Sequence, residues 1–158
     1  MALRVRRVVT GHDATGRAVV TIDDVNRHMV SGRTGHRSCL VWTTEGFPVD
    51  NTREGDAADR TIGTTIPDGT VCRVIEFAPG VAPRNHRTDS VDYVFVLSGE
   101  IDMDLDGTIV HLAAGDVLVQ RGTIHNWINR GTEPCVVAAV LVGAGPVEVA
   151  GRTLPAIG

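Results

Sequence analysis

The stretch Asp92-Tyr93-Val94-Phe95-Val96-Leu97-Ser98-Gly99-Glu100-Ile101-Asp102-Met103-Asp104-Leu105-Asp106-Gly107 decides the fold. Residues 92–97 read as a strand closed by Ser98-Gly99. Residues 100–106 then alternate strictly, with Ile101, Met103 and Leu105 on one face and Asp102, Asp104 and Asp106 on the other. That is the period of a half-buried strand, and the aspartates need nothing beyond a solvated face. Asp106-Gly107 is a pair that type I′ hairpins prefer, because both central residues must take positive φ.

Working outward, the same grammar repeats at regular spacing. Residues 71–77 form a strand closed by Ala78-Pro79-Gly80, residues 108–112 return from the hairpin, and residues 117–120 follow Gly115-Asp116. Residues 126–129 lead to the apolar run 135–142, which reads as a fully buried strand. Upstream, residues 3–10 and 17–22 are extended and joined by the turn cluster Asp13-Ala14-Thr15-Gly16, and residues 38–44 form a short strand around Trp42. Residues 45–60 are rich in Asp, Glu, Arg and Gly with little periodicity. They read as a long loop with one helical turn near 54–60, placed to close over a barrel mouth. Short, evenly spaced strands indicate a sandwich or barrel.

Composition agrees. Of 158 residues, 24 are Val, 9 Ile and 16 Thr, while Leu appears 8 times and Glu 6 times, so strand formers outnumber helix formers. The length favours one structural domain. Within it, residues 1–69 supply strands and a long loop packed on the barrel, 70–145 the barrel core and 146–158 a tail. All 15 basic residues are Arg, and the net charge of −4 removes the electrostatic case for nucleic acid. No apolar stretch is long enough for a membrane helix and none follows the N-terminal arginines as a secretory signal would, so the expected location is the cytoplasm. Cys39, Cys72 and Cys135 are odd in number and widely spaced, the pattern of reduced, buried thiols.

Two segments carry chemistry. In 83–93, strand alternation puts His86, Thr88, Ser90 and Asp92 on one face, with Arg84 at the same parity. In 122–129, His125 and Trp127 share a face. Two imidazoles and a carboxylate that converge inside a barrel can hold a divalent metal.

These residues resemble the cupins. The first cupin motif, Gly-x5-His-x-His-x3 or 4-Glu-x6-Gly, is matched by Gly80-x5-His86-x-Thr88-x3-Asp92-x6-Gly99. The second, Gly-x5-Pro-x-Gly-x2-His-x3-Asn, is matched by Gly115-x6-Gly122-x2-His125-x3-Asn129. The spacing between motifs is that of small single-domain bacterial cupins, and the resemblance covers residues 70–141. It implies an all-β, jelly-roll β-barrel with an N-terminal strand extension and little helix. The first motif is degenerate: Thr88 replaces a histidine ligand and Asp92 a glutamate.

What the resemblance implies for the site is a divalent metal (Fe, Mn, Ni or Zn) held by His86, Asp92 and His125, with Asp92 and His125 also catalytic. Arg84, Thr88, Gln120 and Trp127 would contact a small oxygen-bearing substrate, Arg84 by pairing with a carboxylate, and Arg121 is a weaker candidate at the mouth. Metal-free acid/base chemistry by Asp92 and a histidine, as an isomerase, cyclase or decarboxylase, is the alternative. A non-catalytic metabolite-binding cupin is the third reading. It ranks behind an enzyme because no room remains for an output domain. His12, His28, His36 and His111 are expected at the surface, Asn129 in a structural turn, and residues 3–10 in a homodimer contact.

Overall fold

Thirteen strands build the chain in the computed structural model, which describes residues 3–158 and contains no helix among them. An outer hairpin comes first: β1 (Arg6–His12) pairs antiparallel with β2 (Ala18–Val25). The expected turn between them is held by Asp13 Oδ1, which accepts from the Thr15 amide at 2.8 Å and the Arg17 amide at 3.1 Å. The barrel strands follow: β3 (Met29–Arg33), β4 (His36–Glu45), β5 (Gly69–Phe77), β6 (Ser90–Ser98), β7 (Glu100–Leu105), β8 (Thr108–Ala113), β9 (Val117–Arg121), β10 (Asn126–Ile128) and β11 (Cys135–Gly143). A last hairpin joins β12 (Val147–Val149) to β13 (Arg152–Leu154).

Two sheets face each other across the core. One has six strands in the order β3-β4-β5-β11-β6-β9, and the other has three, β10-β7-β8. Phe77 and Val71 from β5, Ile101 and Met103 from β7 and Val137 from β11 are almost fully buried between them. Large apolar side chains buried this way each contribute about 1.5–3 kcal/mol relative to exposure. The alternation read in 100–106 is realised: Ile101 and Met103 point inward, while Asp102 accepts from Nδ1 of His111 at 2.8 Å and Asp104 from the Gly107 amide at 2.7 Å. Asp106 and Gly107 both take positive φ, 52° and 95°, as the hairpin demands. Gly99 is needed where it stands. Its φ is 74°, and a Cβ there would lie 2.7 Å from the Pro134 carbonyl oxygen.

Three features differ from expectation. The helical turn near 54–60 does not form; these residues make non-helical turns fixed by side chains, with Asp56 accepting from the Ala58 amide at 2.9 Å and Thr43 donating to the Ala57 carbonyl at 2.7 Å. Local hydrogen bonding by Asp outcompetes the helix there. Strand β3 was not legible, because Met29, Val30 and Arg33 lack a clear period and the strand carries a register irregularity against β4. The tail is also partly ordered: β12–β13 folds back, and Ile157 bridges to Arg87. Cys39 and Cys135 are buried and Cys72 is partly buried, all three as free thiols.

Candidate functional site in the barrel

Local backbone pairing sets the centre of the site. His86 and His125 form an isolated antiparallel bridge, each amide donating to the other's carbonyl at 3.0 Å. Directly opposed residues on antiparallel segments present side chains to the same side. The two imidazoles therefore meet, with ring centroids 4.2 Å apart and planes inclined by 49°. Both rings are buried. Burial holds the His86 pKa down to about 4, with help from its partner ring, and burial also lowers that of His125. Both are neutral at pH 7.

Their tautomers follow from their neighbours. Nδ1 of His86 lies 3.1 Å from the Arg84 carbonyl, and Nδ1 of His125 lies 3.0 Å from the Thr123 carbonyl. A carbonyl can only accept, so each Nδ1 carries the proton and each Nε2 keeps a free lone pair. Gln120 lies along the same edge of His125 and donates from Nε2 to the Thr123 carbonyl at 3.3 Å, so that shared carbonyl ties the two side chains together. Trp127 walls the site, with its ring 5.9 Å from His125 and 5.7 Å from Phe77.

Asp92 stands on β6 opposite Gln120 of β9, so the two side chains share the inward face. It is 6% exposed, and among the described residues no arginine pairs with it. Burial pushes its pKa up to about 6, while the hydrogen bond from Ser90 Oγ at 2.5 Å partly opposes the rise. Ser90 Oγ also lies 2.8 Å from Thr88 Oγ1. Ser90 has one proton to give, so Thr88 supplies the other and a chain of hydroxyls runs Thr88–Ser90–Asp92.

Asp92, Gln120, His86, His125, Trp127 and Arg84 border one cavity of about 300 Å³, otherwise walled mostly by apolar side chains such as Val94, Val137 and Leu141. That is the scale and character of a small-molecule site. Thr88 borders instead a separate outer recess with Arg87 and Ile157, and Arg121 is exposed. Arg84 donates from Nη2 to the Gly158 carbonyl at 2.6 Å and spans both spaces. The loop 45–60 contributes nothing to the lining; Ile62, Gly63 and Thr64 just beyond it do.

A metal centre of His86, Asp92 and His125 needs ligand atoms gathered about one point, with bonds of about 2.0–2.2 Å. The structure brings the imidazoles together but leaves the carboxylate outside the set. Among the described residues the trio whose donor atoms all lie within 4.8 Å of one another is His28, Asp56 and Asp59. With Asp92 held by Ser90, two of the three implied ligands, His86 and His125, come together. The barrel residues therefore do not fit a metal held by three protein ligands. The His28 trio lies outside the cavity lining, and Arg7 already supplies its cation, with Nη1 2.9 Å from Asp56 Oδ1 and Nε 2.9 Å from Asp24 Oδ1. This is a clamp between the β1–β2 hairpin and the long loop.

Of the histidines expected at the surface, His12 and His111 are exposed, while His28 and His36 are half-buried. His28 joins the clamp, His111 bonds Asp102, and His36 lines the cavity. Arg33 and Arg73 line it too. The signal for Arg73 was present, since it shares parity with Val71, Ile75 and Phe77 on β5 and so must point inward with them.

A six-stranded sheet against a smaller one, with paired histidines at the two motif positions, is the arrangement of one family, and comparison with known proteins agrees. The cupin domain family model matches residues 73–143. The chain is 37% identical to a cupin-domain-containing oxidoreductase, fogC, of Aspergillus ruber, over 96% of this chain and 78% of that protein. It belongs to the cupins. It is also 38% identical to phomopsin biosynthesis cluster protein C' of Diaporthe leptostromiformis, over 94% of this chain and 83% of that one. Both relatives are fungal, unlike the bacterial cupins that the motif spacing resembles. A cupin 2 conserved barrel domain protein from Salinispora arenicola superposes with a TM-score of 0.54 at 17% identity, covering 80% of this chain and 91% of that one, a likeness of fold.

Proposed function

We propose that this cupin is a small-molecule enzyme that moves a proton on an enolisable, oxygen-bearing metabolite, with Asp92 as general base and acid. The observation that carries the reading is the pairing, in one cavity, of a buried carboxyl at a pKa of about 6 with two neutral imidazoles whose Nε2 atoms are free. A general base works best with a pKa near the working pH. Ionised Asp92 would take a proton from the carbon beside a carbonyl, the electron pair passing to the carbonyl oxygen, and would return the proton at another position. Each free Nε2 can accept a hydrogen bond from a substrate hydroxyl and so orient it. The Thr88–Ser90 hydroxyls hold the carboxyl, and Arg84 at the mouth supplies positive charge. Relatives are named as oxidoreductases or as biosynthesis cluster proteins, which supports an enzyme rather than a storage or sensing role.

Two measurements test this. Protein purified without chelator is expected to hold less than about a tenth of an equivalent of Fe, Mn, Ni or Zn. A full equivalent, lost in His86→Ala and His125→Ala, would replace the proton-transfer reading with metal-assisted chemistry at the two imidazoles. In D2O, with a panel of 2-oxo and 3-oxo carboxylic acids followed by NMR, the protein is expected to accelerate loss of the carbon-bound proton signal. Asp92→Asn should reduce that acceleration by at least the 10²-fold typical of general-base catalysis. A binder that neither exchanges nor converts any of them would be a metabolite-binding cupin.

We also propose a homodimer. Tyr93, Phe95 and Leu97 of β6 and Val117 and Val119 of β9 are 41–59% exposed on the outward face, beside the unpaired edge of β9. A second copy pairing edge to edge would cover them. Residues 3–10, the contact expected from sequence, pair with β2 in an outer hairpin from Arg6 on.

A further inference from the structure

Arg33, His36 and Arg73 line one wall of the cavity, and four of their nitrogens are buried in that wall without a partner: Nε and Nη1 of Arg33, Nδ1 of His36 and Nε of Arg73. Buried donors are almost always satisfied, and a guanidinium left partly bare away from water is costly. Arg73 is 9% exposed, and its remaining nitrogens are fixed by the Gly63 carbonyl at 2.6 Å and Ser38 Oγ at 3.4 Å. Its position is set, then, with Nε left over. Arg33 shows no ion pair, and the sole acid among the residues lining the cavity is Asp92.

Strand order separates that wall from the proposed base. Arg33, His36 and Arg73 come from β3, β4 and β5, whereas Asp92 and Gln120 come from β6 and β9, beyond β11. With strands about 4.8 Å apart and Asp92 two residues along β6 from the position level with Arg73, the two stand roughly 12 Å apart at the backbone. The residue of β11 opposite Arg73 is Ala139, whose other neighbour is Val94 of β6, so a small apolar side chain bounds the space between the two ends. The electrostatics agree with two separate ends. His36 is held down to about 4 by burial and then by Arg33, Arg84 and Arg73, whereas nothing cationic lowers Asp92.

We propose that Arg33, His36 and Arg73 form a carboxylate-binding subsite, so that this cupin acts on a molecule with an apolar body and an anionic carboxylate at the end remote from the reacting carbon. Guanidinium groups suit a carboxylate because their planar donors match its two oxygens. Neutral His36 can add a further hydrogen bond. The apolar middle takes Phe77, Ile75 and Val137 as its walls. The proposal rests on the proton-transfer reading for the reaction at the Asp92 end, but the subsite itself does not.

Benzoate and benzamide, alike in size and unlike in charge, are the probes, with binding followed by ligand-observed NMR and calorimetry on the full chain. Benzoate is expected to bind at least tenfold more tightly than benzamide. Arg33→Gln and Arg73→Gln should each weaken benzoate at least tenfold and leave benzamide unchanged. Arg73 makes internal hydrogen bonds and its variant could misfold, but the Arg33 side chain has none to lose at Nε and Nη1, which keeps the test decisive. Equal binding of the two probes, or benzoate binding undiminished in Arg33→Gln, would overturn the subsite. Asp92→Asn separates the two proposals: it should abolish proton exchange on the oxo acids while retaining the preference for benzoate. Failed exchange with preserved benzoate selectivity would sink the reaction and leave the subsite standing.

Discussion

Replacing Asp92 by asparagine removes a buried negative charge while keeping the side chain's shape and the oxygen that accepts from Ser90. The carboxyl is raised from 3.8 to about 6 by burial, so the folded protein binds its proton more tightly than the unfolded chain does. Between pH 3.8 and 6 the folded state therefore holds more protons, and stability falls as pH rises through that window. At about 1.4 kcal/mol per unit, the difference amounts to an upper bound of about 3 kcal/mol of destabilisation above pH 6. Asp92→Asn should recover most of it. Urea unfolding at pH 8 is expected to show the variant more stable by about 2–3 kcal/mol, and the gap should close to near zero at pH 3.5. A variant that is equally or less stable at pH 8, or whose advantage does not shrink with acid, would show that the carboxylate is not an unpaired buried charge. The general base would then lose its physical basis. Stability gained at the expense of activity is the signature of a site residue held against its own solvation.

Other outcomes follow from the same geometry. His86 is depressed from 6.5 to about 4, so it contributes stability above pH 6.5 that is lost as pH falls toward 4, up to about 3 kcal/mol and close to the opposite contribution of Asp92. The balance is set by His36 and His125, both also depressed, so wild-type protein should have a lower urea midpoint at pH 4.5 than at pH 7; a higher one would contradict the buried, neutral imidazoles. Asn129→Ala should cost about 2–4 kcal/mol in urea unfolding, because the buried amide donates to the Phe77 carbonyl at 2.8 Å and the Glu133 carbonyl at 2.9 Å while its oxygen accepts from Gly131. Sedimentation at micromolar concentration should give a dimer, and Phe95→Glu should give a monomer; a monomeric wild type would remove the interface.

Much of the barrel could be read before any coordinates, and for a physical reason. Strand period, turn chemistry and glycines at positive φ are local properties, and each was visible in residues 92–107. The pairing of His86 with His125 was also within reach, since both motifs carry their own glycine and strand frame. What failed was anything that depends on a side chain's length or on which strands become neighbours. One methylene separates aspartate from glutamate, and at position 92 the shorter carboxylate is held by the Ser90 hydroxyl rather than gathered with the two imidazoles. The helical turn near 54–60 failed for a related reason. Asp56 is held both by the Ala58 amide beside it and by Arg7 far away, and the second partner lies in no window of local sequence.

Arg73 shows where the boundary lies. Alternation on β5 forces it inward with Val71, Ile75 and Phe77, and an arginine at such a parity admits two explanations: a strand read out of phase, or a charge the fold tolerates for a purpose. The three apolar neighbours at the same parity exclude the first explanation from sequence alone. The second needs the sheet order, because Arg73 becomes a site residue only when Arg33 and His36 stand beside it and Asp92 stands across β11. A chain selected only for stability would have placed another Val or Ile there, since an apolar side chain of similar volume avoids the desolvation of a buried cation. Retaining the guanidinium, with its Nε buried and unpartnered in a residue that lines the cavity, is what the proposed carboxylate subsite accounts for.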